Sequence, residues 1–136
     1  MKIMLDENAI LPTRSHSTDA GLDLYARETQ IVPARGSTVF DTGVHIALPP
    51  NMAGVLVSRS GLNFKHGITS EGLIDTGYTG SIGVKLYNNS DNYYTVHKGD
   101  KISQLIIVPI LTPTLEVVDR LEETERGNNG FGSTGV

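Results

Sequence analysis

Two segments of the chain place carboxylates where a catalytic or metal-binding group can stand. "DAGLDLYA" sets Asp19 and Asp23 on either side of a glycine turn at the edge of a strand. "GLIDTGYTG" encloses Asp75 in a hairpin punctuated by glycines, with Tyr78 three positions further on. A carboxylate beside a turn is commonly only a turn former, whereas one held against a water can act as a general base. These fragments alone leave both interpretations open.

Three further segments combine glycine with groups that bind phosphate. In "SRSGL", Arg59 offers planar donors, Ser60 a hydroxyl and Gly61 a backbone N–H, although the same residues also fit a capped helix start at Ser60. In "GDKISQL", Gln104 is the one long polar side chain of an apolar run, where it is more commonly a satisfied core amide. "RGNNGFGSTG" has spaced glycines, hydroxyls and a cation but precedes no helix, so it is not a Walker loop. Such a composition is also typical of a disordered tail.

The composition argues against several classes of protein. A chain of 136 residues fits one domain with a buried core. Cysteine is absent, which rules out disulfides and thiolate metal sites and suits a reducing cytoplasm. No stretch approaches about 18 unbroken apolar residues, so we expect no membrane span. The net charge of −4, with Lys and Arg scattered along the chain, argues against a nucleic-acid polymer as partner.

The elements that must position these groups are predicted to be strands. Apolar residues alternate with polar ones in "GVHIALP", "AGVLVS" and "SIGVKLY", as in half-buried strands. Further strand candidates are "KIML", "STVFD", "YYTV", "KISQLIIVPI" and "TLEVVD", and only "SGLNFKHG" suits a short helix. Many short strands with almost no helical periodicity predict an all-β, antiparallel sandwich or barrel.

Taken together and in this order, the five segments closely resemble the five motifs of the trimeric dUTP pyrophosphatases (dUTPases). The resemblance spans nearly the whole chain, from "PTRSHSTDAGLDLYA" to its last residues. It implies a β-rich jelly roll with a short helix, a dUTPase-like domain over residues 1–125, and a flexible glycine-rich arm over residues 126–136. It also implies a homotrimer in which each active site draws on more than one subunit.

The resemblance further implies a reaction, the hydrolysis of dUTP to dUMP and pyrophosphate by attack of a water on the α-phosphorus. Asp75 matches the catalytic carboxylate that orients and deprotonates this water. Asp23 matches the carboxylate that holds Mg²⁺ through its water shell, and Mg²⁺ suits a triphosphate because it prefers oxygen ligands and keeps its waters. Tyr78 matches a ring that packs against the sugar and leaves no place for the 2′-hydroxyl of UTP.

The remaining matches imply contacts with the substrate. The hairpin backbone before Asp75, including Gly72 and Ile74, is expected to pair with uracil. Phosphate contacts are expected from Arg59, Ser60, Gly61 and Gln104. In the arm, Phe131 is expected to stack on the uracil, and the phosphates are expected to meet Arg126, Gly132, Ser133 and Thr134.

Four positions depart from the family pattern without removing a group that has chemistry, and a fifth, Thr69, bears on base recognition. Ser58 stands where the family often has proline, and Gly77 and Thr79 stand where an aspartate and an arginine are common. Asn129 replaces a usual glycine of the last motif. Thr69 occupies a position at which some members carry an asparagine that contacts uracil, so base recognition here can rest on the backbone alone.

Two rival functions fit parts of the pattern. A dCTP deaminase shares the fold and much of the first three motifs, and Glu71 is the only nearby candidate for its general acid and base. Tyr78 and the complete closing arm favour the pyrophosphatase. The other rival is a regulatory protein in which nucleotide occupancy switches a partner surface, but relatives with such roles usually carry an extra insert, for which this chain looks too compact.

Overall fold

A computed structural model describes residues 1–135 of the chain, which form short strands and a single helix. The elements are β1 (Lys2–Leu5), β2 (Leu22–Tyr25), β3 (Gln30–Val32), β4 (Ser37–Asp41), β5 (Val44–Ala47), β6 (Met52–Val57), α1 (Ser60–His66), β7 (Ile68–Ile74), β8 (Gly83–Asn88), β9 (Tyr94–Val96) and β10 (Lys101–Pro109). The helix α1 has 7 residues. Within residues 1–135, no helix is both long and apolar enough to cross a bilayer.

The strands pair in an antiparallel manner throughout the described chain. One sheet has six strands in the order β2-β10-β6-β7-β8-β4, and two-stranded sheets are formed by β1 with β5 and by β3 with β9. This arrangement confirms the predicted all-β class and the single short helix at "SGLNFKHG".

Alternation along the strands builds the core. In β8, Val84 and Leu86 are buried while Lys85 between them is exposed. The core also contains polar groups that pair with each other: the buried hydroxyls of Ser70 on β7 and Ser103 on β10 lie 2.8 Å apart. The largest fully buried side chains include Leu24, Phe40, Ile68, Ile82, Ile102 and Leu105. The strand ends that carry the candidate residues are therefore anchored in one packed interior.

One strand prediction is wrong, and β2, β3 and β7 were not among the strand candidates. "TLEVVD" forms no strand, and its Leu115 and Val117 are 89% and 98% exposed. A strand needs a partner edge and a surface to pack on, and no described segment of the same chain offers either to these residues. The short β3 was not predicted, and β7 was obscured because "ITSEGLI" interrupts its apolar alternation with polar residues and glycine.

Candidate active site

The strand register brings three of the predicted residues to one end of β6. Asp23 on β2 lies opposite Gln104 on β10, and Gln104 lies opposite Val57, the last residue of β6. Arg59 follows two positions later, and its guanidinium Nη1 donates to Asp23 Oδ1. We call Asp23, Arg59, Ser60, Gly61 and Gln104 the phosphate cluster.

Asp23 is a buried carboxylate held by two cations. It is only 4% exposed, and while Arg59 binds Oδ1, Lys101 Nζ lies 2.7 Å from Oδ2. Lys101 also donates to Ser15 Oγ at 3.1 Å. Burial of a charge is costly unless it is paired and hydrogen-bonded, so both cations hold Asp23 in its ionised form. Sequence reasoning missed Lys101, because only the pairing of β10 with β2 places it beside Asp23.

The helix α1 presents an open surface next to this carboxylate. Arg59, not Ser60, is the residue that precedes the helix, and it makes no side-chain capping bond. Asn63 N donates to the Arg59 carbonyl at 3.0 Å, so the N–H groups of Ser60 and Gly61 come before the first intrahelical bond. Both residues are exposed, and a Cβ added to Gly61 would meet no atom within 4 Å. An anion can therefore approach this backbone closely.

Side-chain hydrogen bonds fix the chain between β6 and the helix. Ser58 Oγ accepts from Ser70 N at 2.9 Å and donates to the Ser70 carbonyl at 3.1 Å. The pairing of β6 with β7 thus continues through a side chain beyond the last residue of β6. A proline, which the family often has at this position, has no hydroxyl for these bonds, so Ser58 holds the start of "SRSGL" in its own way.

The two aspartates of the first motif have different environments. Asp19 accepts a hydrogen bond from the His16 N–H at 2.9 Å through Oδ2, and this bond lowers the pKa of the Asp19 carboxyl below its ordinary value. Asp19 is therefore a turn residue. Gln104 packs over the adjacent Gly21, where an added Cβ would lie 3.0 Å from Gln104 Cβ. Glycine at this position therefore lets the turn approach the glutamine closely.

The predicted hairpin residues share one cavity at the other end of β7. A cavity of about 240 Å³ is lined by Gly72, Ile74, Asp75 and Tyr78 among others. Ile74, at the end of β7, is buried in the core, whereas Asp75 leaves the sheet and is exposed. Ligand pockets commonly have volumes of about 300–1,000 Å³, so this cavity is small for a whole nucleoside triphosphate. We call these four residues the hairpin cluster.

The orientation of Tyr78 is set by its own loop. Tyr78 N donates to the Asp75 carbonyl at 3.1 Å across a turn in which Gly77 has φ +91°, a conformation that favours glycine. The phenol donates to the Ser81 carbonyl at 3.0 Å. The ring lies so close to Gly80 that an added Cβ would be 2.6 Å from Tyr78 Cζ. The ring is thus fixed in place while the side chain stays about half exposed.

The phosphate cluster and the hairpin cluster are far apart in a single chain. Along the β6–β7 pair, Gly54 lies opposite Ile74, so Asp75 comes level with Ala53. Arg59 is six residues further along, which corresponds to about 20 Å at roughly 3.3 Å per residue. One chain therefore does not bring Asp75 to Asp23, Arg59 and Gln104. Thr69 lies at the Arg59 end of β7 as well, with its Oγ1 3.5 Å from Asn89 Nδ2.

Within residues 1–135, the glycine-rich segment makes no hydrogen bond to either cluster. The hydrogen bonds recorded for residues 126–135 stay within residues 124–135, such as the 2.9 Å bond from Arg126 Nε to the Asn129 carbonyl. Phe131 is fully exposed. The structure therefore shows no hydrogen bond between either cluster and the five predicted arm residues, Arg126, Phe131, Gly132, Ser133 and Thr134. Val136, the last residue of the predicted arm, lies outside the described residues.

The arrangement of carboxylates in the described chain suits a metal ion that is bound mainly by the phosphates of a substrate. Within residues 1–135, no three His, Cys, Asp or Glu side chains gather into a metal site. Mg²⁺ usually keeps several waters and is bound through one or two carboxylates together with substrate phosphates. A lone carboxylate such as Asp23, beside a surface open to anions, fits that arrangement and does not fit a protein cage.

Comparisons with known proteins agree with these features. The dUTPase family model matches residues 7–135. The deoxyuridine 5′-triphosphate nucleotidohydrolase of Gloeothece citriformis is 46% identical over 97% of this chain and 93% of its own. The dUTPase of Staphylococcus bacteriophage 80alpha, solved with dUpNHpp, superposes with a TM-score of 0.93 at 35% identity, covering 99% of this chain and 98% of that one. A mutant dUTPase of phage phi11, in which a structural Mg(II) ion is coordinated, superposes with a TM-score of 0.83 at 33% identity, covering 90% of this chain and 98% of that one.

Proposed function

The chain belongs to the dUTPase family, the deoxyuridine 5′-triphosphate nucleotidohydrolases, and we propose that more than one copy of it builds each active site. The observation that carries this proposal is the separation of about 20 Å between Asp75 and Arg59 along the β6–β7 pair. A water at Asp75 and a triphosphate at Arg59 of the same chain are too far apart to react. A second copy that brings its phosphate cluster to the hairpin cluster of the first completes the site.

We propose a homotrimer as the assembly. Four large apolar side chains after β10 are 85–98% exposed, namely Leu111, Leu115, Val117 and Leu121. Contiguous exposed apolar residues mark surfaces that bind another protein. Residues 110–121 therefore supply a surface for a neighbouring copy, and "TLEVVD", whose composition predicts a strand, gains there the partner edge that its own chain does not provide.

In the proposed reaction, Asp75 acts as the general base. Its carboxylate orients a water and accepts a proton from it while the water oxygen forms a bond to the α-phosphorus of dUTP. The bond from the α-phosphorus to the oxygen that bridges to the β-phosphorus breaks, and dUMP and pyrophosphate leave. The chain needs no covalent nucleophile, because positioning and charge stabilisation account for most of phosphoryl-transfer catalysis.

The phosphate cluster of a neighbouring copy is proposed to hold the triphosphate. Phosphate oxygens accept hydrogen bonds from the backbone N–H groups of Ser60 and Gly61 and from the side-chain amide of Gln104. Arg59 adds a charge-assisted donor. Asp23 would hold a Mg²⁺ ion through its water shell, and the ion would neutralise phosphate charge.

The hairpin cluster is proposed to select the nucleoside. The backbone of Gly72 and Ile74 offers uracil a donor and an acceptor, as a pairing base does. The ring of Tyr78, fixed against Gly80 and Ser81, packs on the deoxyribose and leaves no room for a 2′-hydroxyl. UTP is thereby excluded.

The glycine-rich arm, residues 126–136, is proposed to close over the bound substrate as a unit separate from the domain of residues 1–125. Phe131 stacks on the uracil, and Arg126, Gly132, Ser133 and Thr134 meet the phosphates. Phe131 is fully exposed and the hydrogen bonds of residues 126–135 are local, so the Phe131 side chain is available for this stacking.

We propose a cytoplasmic location, in keeping with the absence of cysteine.

One assay tests the activity directly. The purified protein is incubated with Mg²⁺ and, separately, with dUTP, dTTP, dCTP or UTP, and the products are resolved by chromatography. We expect dUMP and pyrophosphate from dUTP and little product from the other three nucleotides. A deaminated uracil nucleotide from dCTP, or no dUMP from dUTP, contradicts the proposal.

A further inference from the structure

The loop that carries Tyr78 is held from behind by a histidine on a neighbouring strand. His45 on β5 places Nδ1 2.7 Å from the Thr79 carbonyl oxygen and Nε2 3.1 Å from Asp6 Oδ1. The imidazole is mostly buried, with 18% of the side chain exposed. His45 thus links the loop after β1 to the residue that directly follows Tyr78.

Both ring nitrogens of His45 face atoms that can only accept a hydrogen bond. A peptide carbonyl has no proton to give, and Asp6 is an acceptor when ionised. A neutral imidazole has one N–H and can satisfy one of these contacts, whereas an imidazolium donates to both. The geometry therefore selects the protonated ring.

The charges around His45 agree with this protonation state. Asp6 and Asp41 are the acidic neighbours, and Arg27 binds Asp41 while lying 3.9 Å from Asp6. Lys2 on β1 lines the same small cavity as His45. The hydrogen bond to the Thr79 carbonyl, followed by the one to Asp6, raises the pKa of His45 above its ordinary value, and burial only partly offsets this.

A second contact ties the other side of the loop to β4. Asp41 accepts hydrogen bonds from Ser81 Oγ and from Gly43 N, and the Ser81 carbonyl in turn accepts from the Tyr78 phenol. Thr79 and Ser81 flank Gly80, on which the Tyr78 ring rests. The backbone that supports the ring is consequently fixed at Thr79 by His45 and at Ser81 by Asp41.

We propose that His45 is a positioning residue for Tyr78, and that its imidazolium holds the loop in the shape that excludes a 2′-hydroxyl. This inference rests on the sugar-selecting role proposed for Tyr78. Below the pKa of His45 both hydrogen bonds exist and discrimination against UTP is greatest. As the pH rises through that pKa the ring keeps one proton and loses one of its two bonds, so the link from Asp6 through His45 to Thr79 is broken and Thr79 is held less firmly. Discrimination between dUTP and UTP therefore falls with rising pH.

The test is the ratio of kcat/KM for dUTP and UTP, measured in competition between pH 5.5 and 9. Ionisation of Asp75 and of the triphosphate affects both substrates alike and cancels in this ratio. For the unaltered protein we expect a fall of about two- to tenfold with one inflection, the size that the loss of one hydrogen bond allows. His45→Gln and His45→Ala should show no inflection and keep the low ratio at every pH. His97→Ala, a change at an exposed histidine on another turn, should behave like the unaltered protein.

A flat profile for the unaltered protein, or an inflection that survives in His45→Gln, overturns the inference. Tyr78→Ala in the same assay separates its failure from that of the proposed function. If Tyr78→Ala leaves the ratio unchanged, the selecting role of Tyr78 itself is wrong. If Tyr78→Ala changes the ratio and His45→Gln does not, only the role of His45 is wrong. NMR titration of the His45 ring gives a further check, because Asp6→Asn should lower its pKa.

Discussion

Asp75 and Asp23 are both carboxylates, but their surroundings suit them for different tasks. Asp75 is exposed at the end of β7 and lines a cavity, where a water and a substrate can reach it. Asp23 is buried and bound by Arg59 and Lys101, so it remains ionised and is a poor proton acceptor. These surroundings fit the roles proposed above, Asp75 as the general base and Asp23 as the residue that binds the hydrated metal ion.

We expect Asp75→Asn to lower kcat for dUTP by at least about 10²- to 10⁴-fold, because an amide cannot accept the proton of the attacking water. The affinity for dUTP should stay near that of the unaltered protein, since the change keeps size and removes one charge outside the phosphate cluster. Single-turnover kinetics with calorimetric binding separates the two quantities. Asp91→Asn, at an exposed site paired with Arg35, is the control. Near-normal turnover by Asp75→Asn removes Asp75 from the mechanism.

Removal of the Asp23 carboxylate should also cost stability. Asp23→Ala leaves Arg59 and Lys101 close together without their shared acceptor, and we expect the free energy of unfolding to fall by about 1.5–3 kcal/mol, as for hydrogen bonds to charged groups. Asp91→Ala breaks the exposed pair between Asp91, whose side chain is 82% exposed, and Arg35, whose side chain is 65% exposed, and should reduce stability much less, because water screens exposed ion pairs. Urea unfolding at equal protein concentrations compares them, since assembly affects apparent stability. If both variants lower the free energy of unfolding equally, the buried contacts of Asp23 stabilise the fold no more than the exposed pair does.

The loop between β7 and β8 is the element that we propose to select the sugar. It runs from the end of a central strand, turns at Gly77 and returns under the Tyr78 ring at Gly80. Its shape depends on glycine at two positions and on contacts with β4 and β5. The loop is therefore a supported platform for the ring.

We expect Tyr78→Ala and Gly80→Ala to raise the relative rate on UTP more than they reduce the rate on dUTP. The first change removes the ring, and the second forces the ring away because the new methyl group would lie 2.6 Å from Cζ. Tyr78→Phe is the matched control, since it keeps the ring and loses only the bond to the Ser81 carbonyl. Competition kinetics with dUTP and UTP measures the effect. Unchanged selectivity in Tyr78→Ala rules out a role for the ring in sugar selection.

At the scale of the whole molecule, one chain holds the parts of the site and does not assemble them. The hairpin cluster and the phosphate cluster occupy opposite ends of β7, and within residues 1–135 the arm makes no hydrogen bond to either. In the assembly proposed above, several copies complete each site, and each copy contributes to more than one site.

A mixing experiment tests this sharing without any further structure. One variant lacks residues 126–136, and the other carries Asp75→Asn with its arm intact, so each alone should be nearly inactive. If the arm and Asp75 of one site come from different copies, hybrid trimers contain sites that pair Asp75 of an armless chain with the arm of the other variant. Co-refolding should restore a substantial fraction of dUTP hydrolysis. If native mass spectrometry detects hybrid trimers that remain inactive, the arm does not serve the site of another copy. It then acts as a lid on its own chain.

The fold class and the candidate residues were accessible from the sequence because they depend on local patterns. Alternation in "SIGVKLY" predicted β8 and buried Val84 and Leu86, and the glycine-bounded "SGLNFKHG" predicted α1. Strand prediction failed where pairing with another segment decides whether a strand forms. "TLEVVD" has the composition of a strand, but pairing and burial, which a local pattern does not supply, are absent for it in a single chain.

The sequence by itself determined which groups are present: the carboxylates, the donors of "SRSGL", the ring of Tyr78 and the glycines that allow its turn. Only the tertiary structure decided their neighbours, because residues distant in the chain meet through strand register. It placed Lys101 on Asp23 and His45 behind Thr79, contacts across intervals of 78 and 34 positions that no spacing rule specifies. It also set Asp75 and Arg59 at opposite ends of β7. An extended strand cannot fold back on itself, so a single chain leaves these two groups apart.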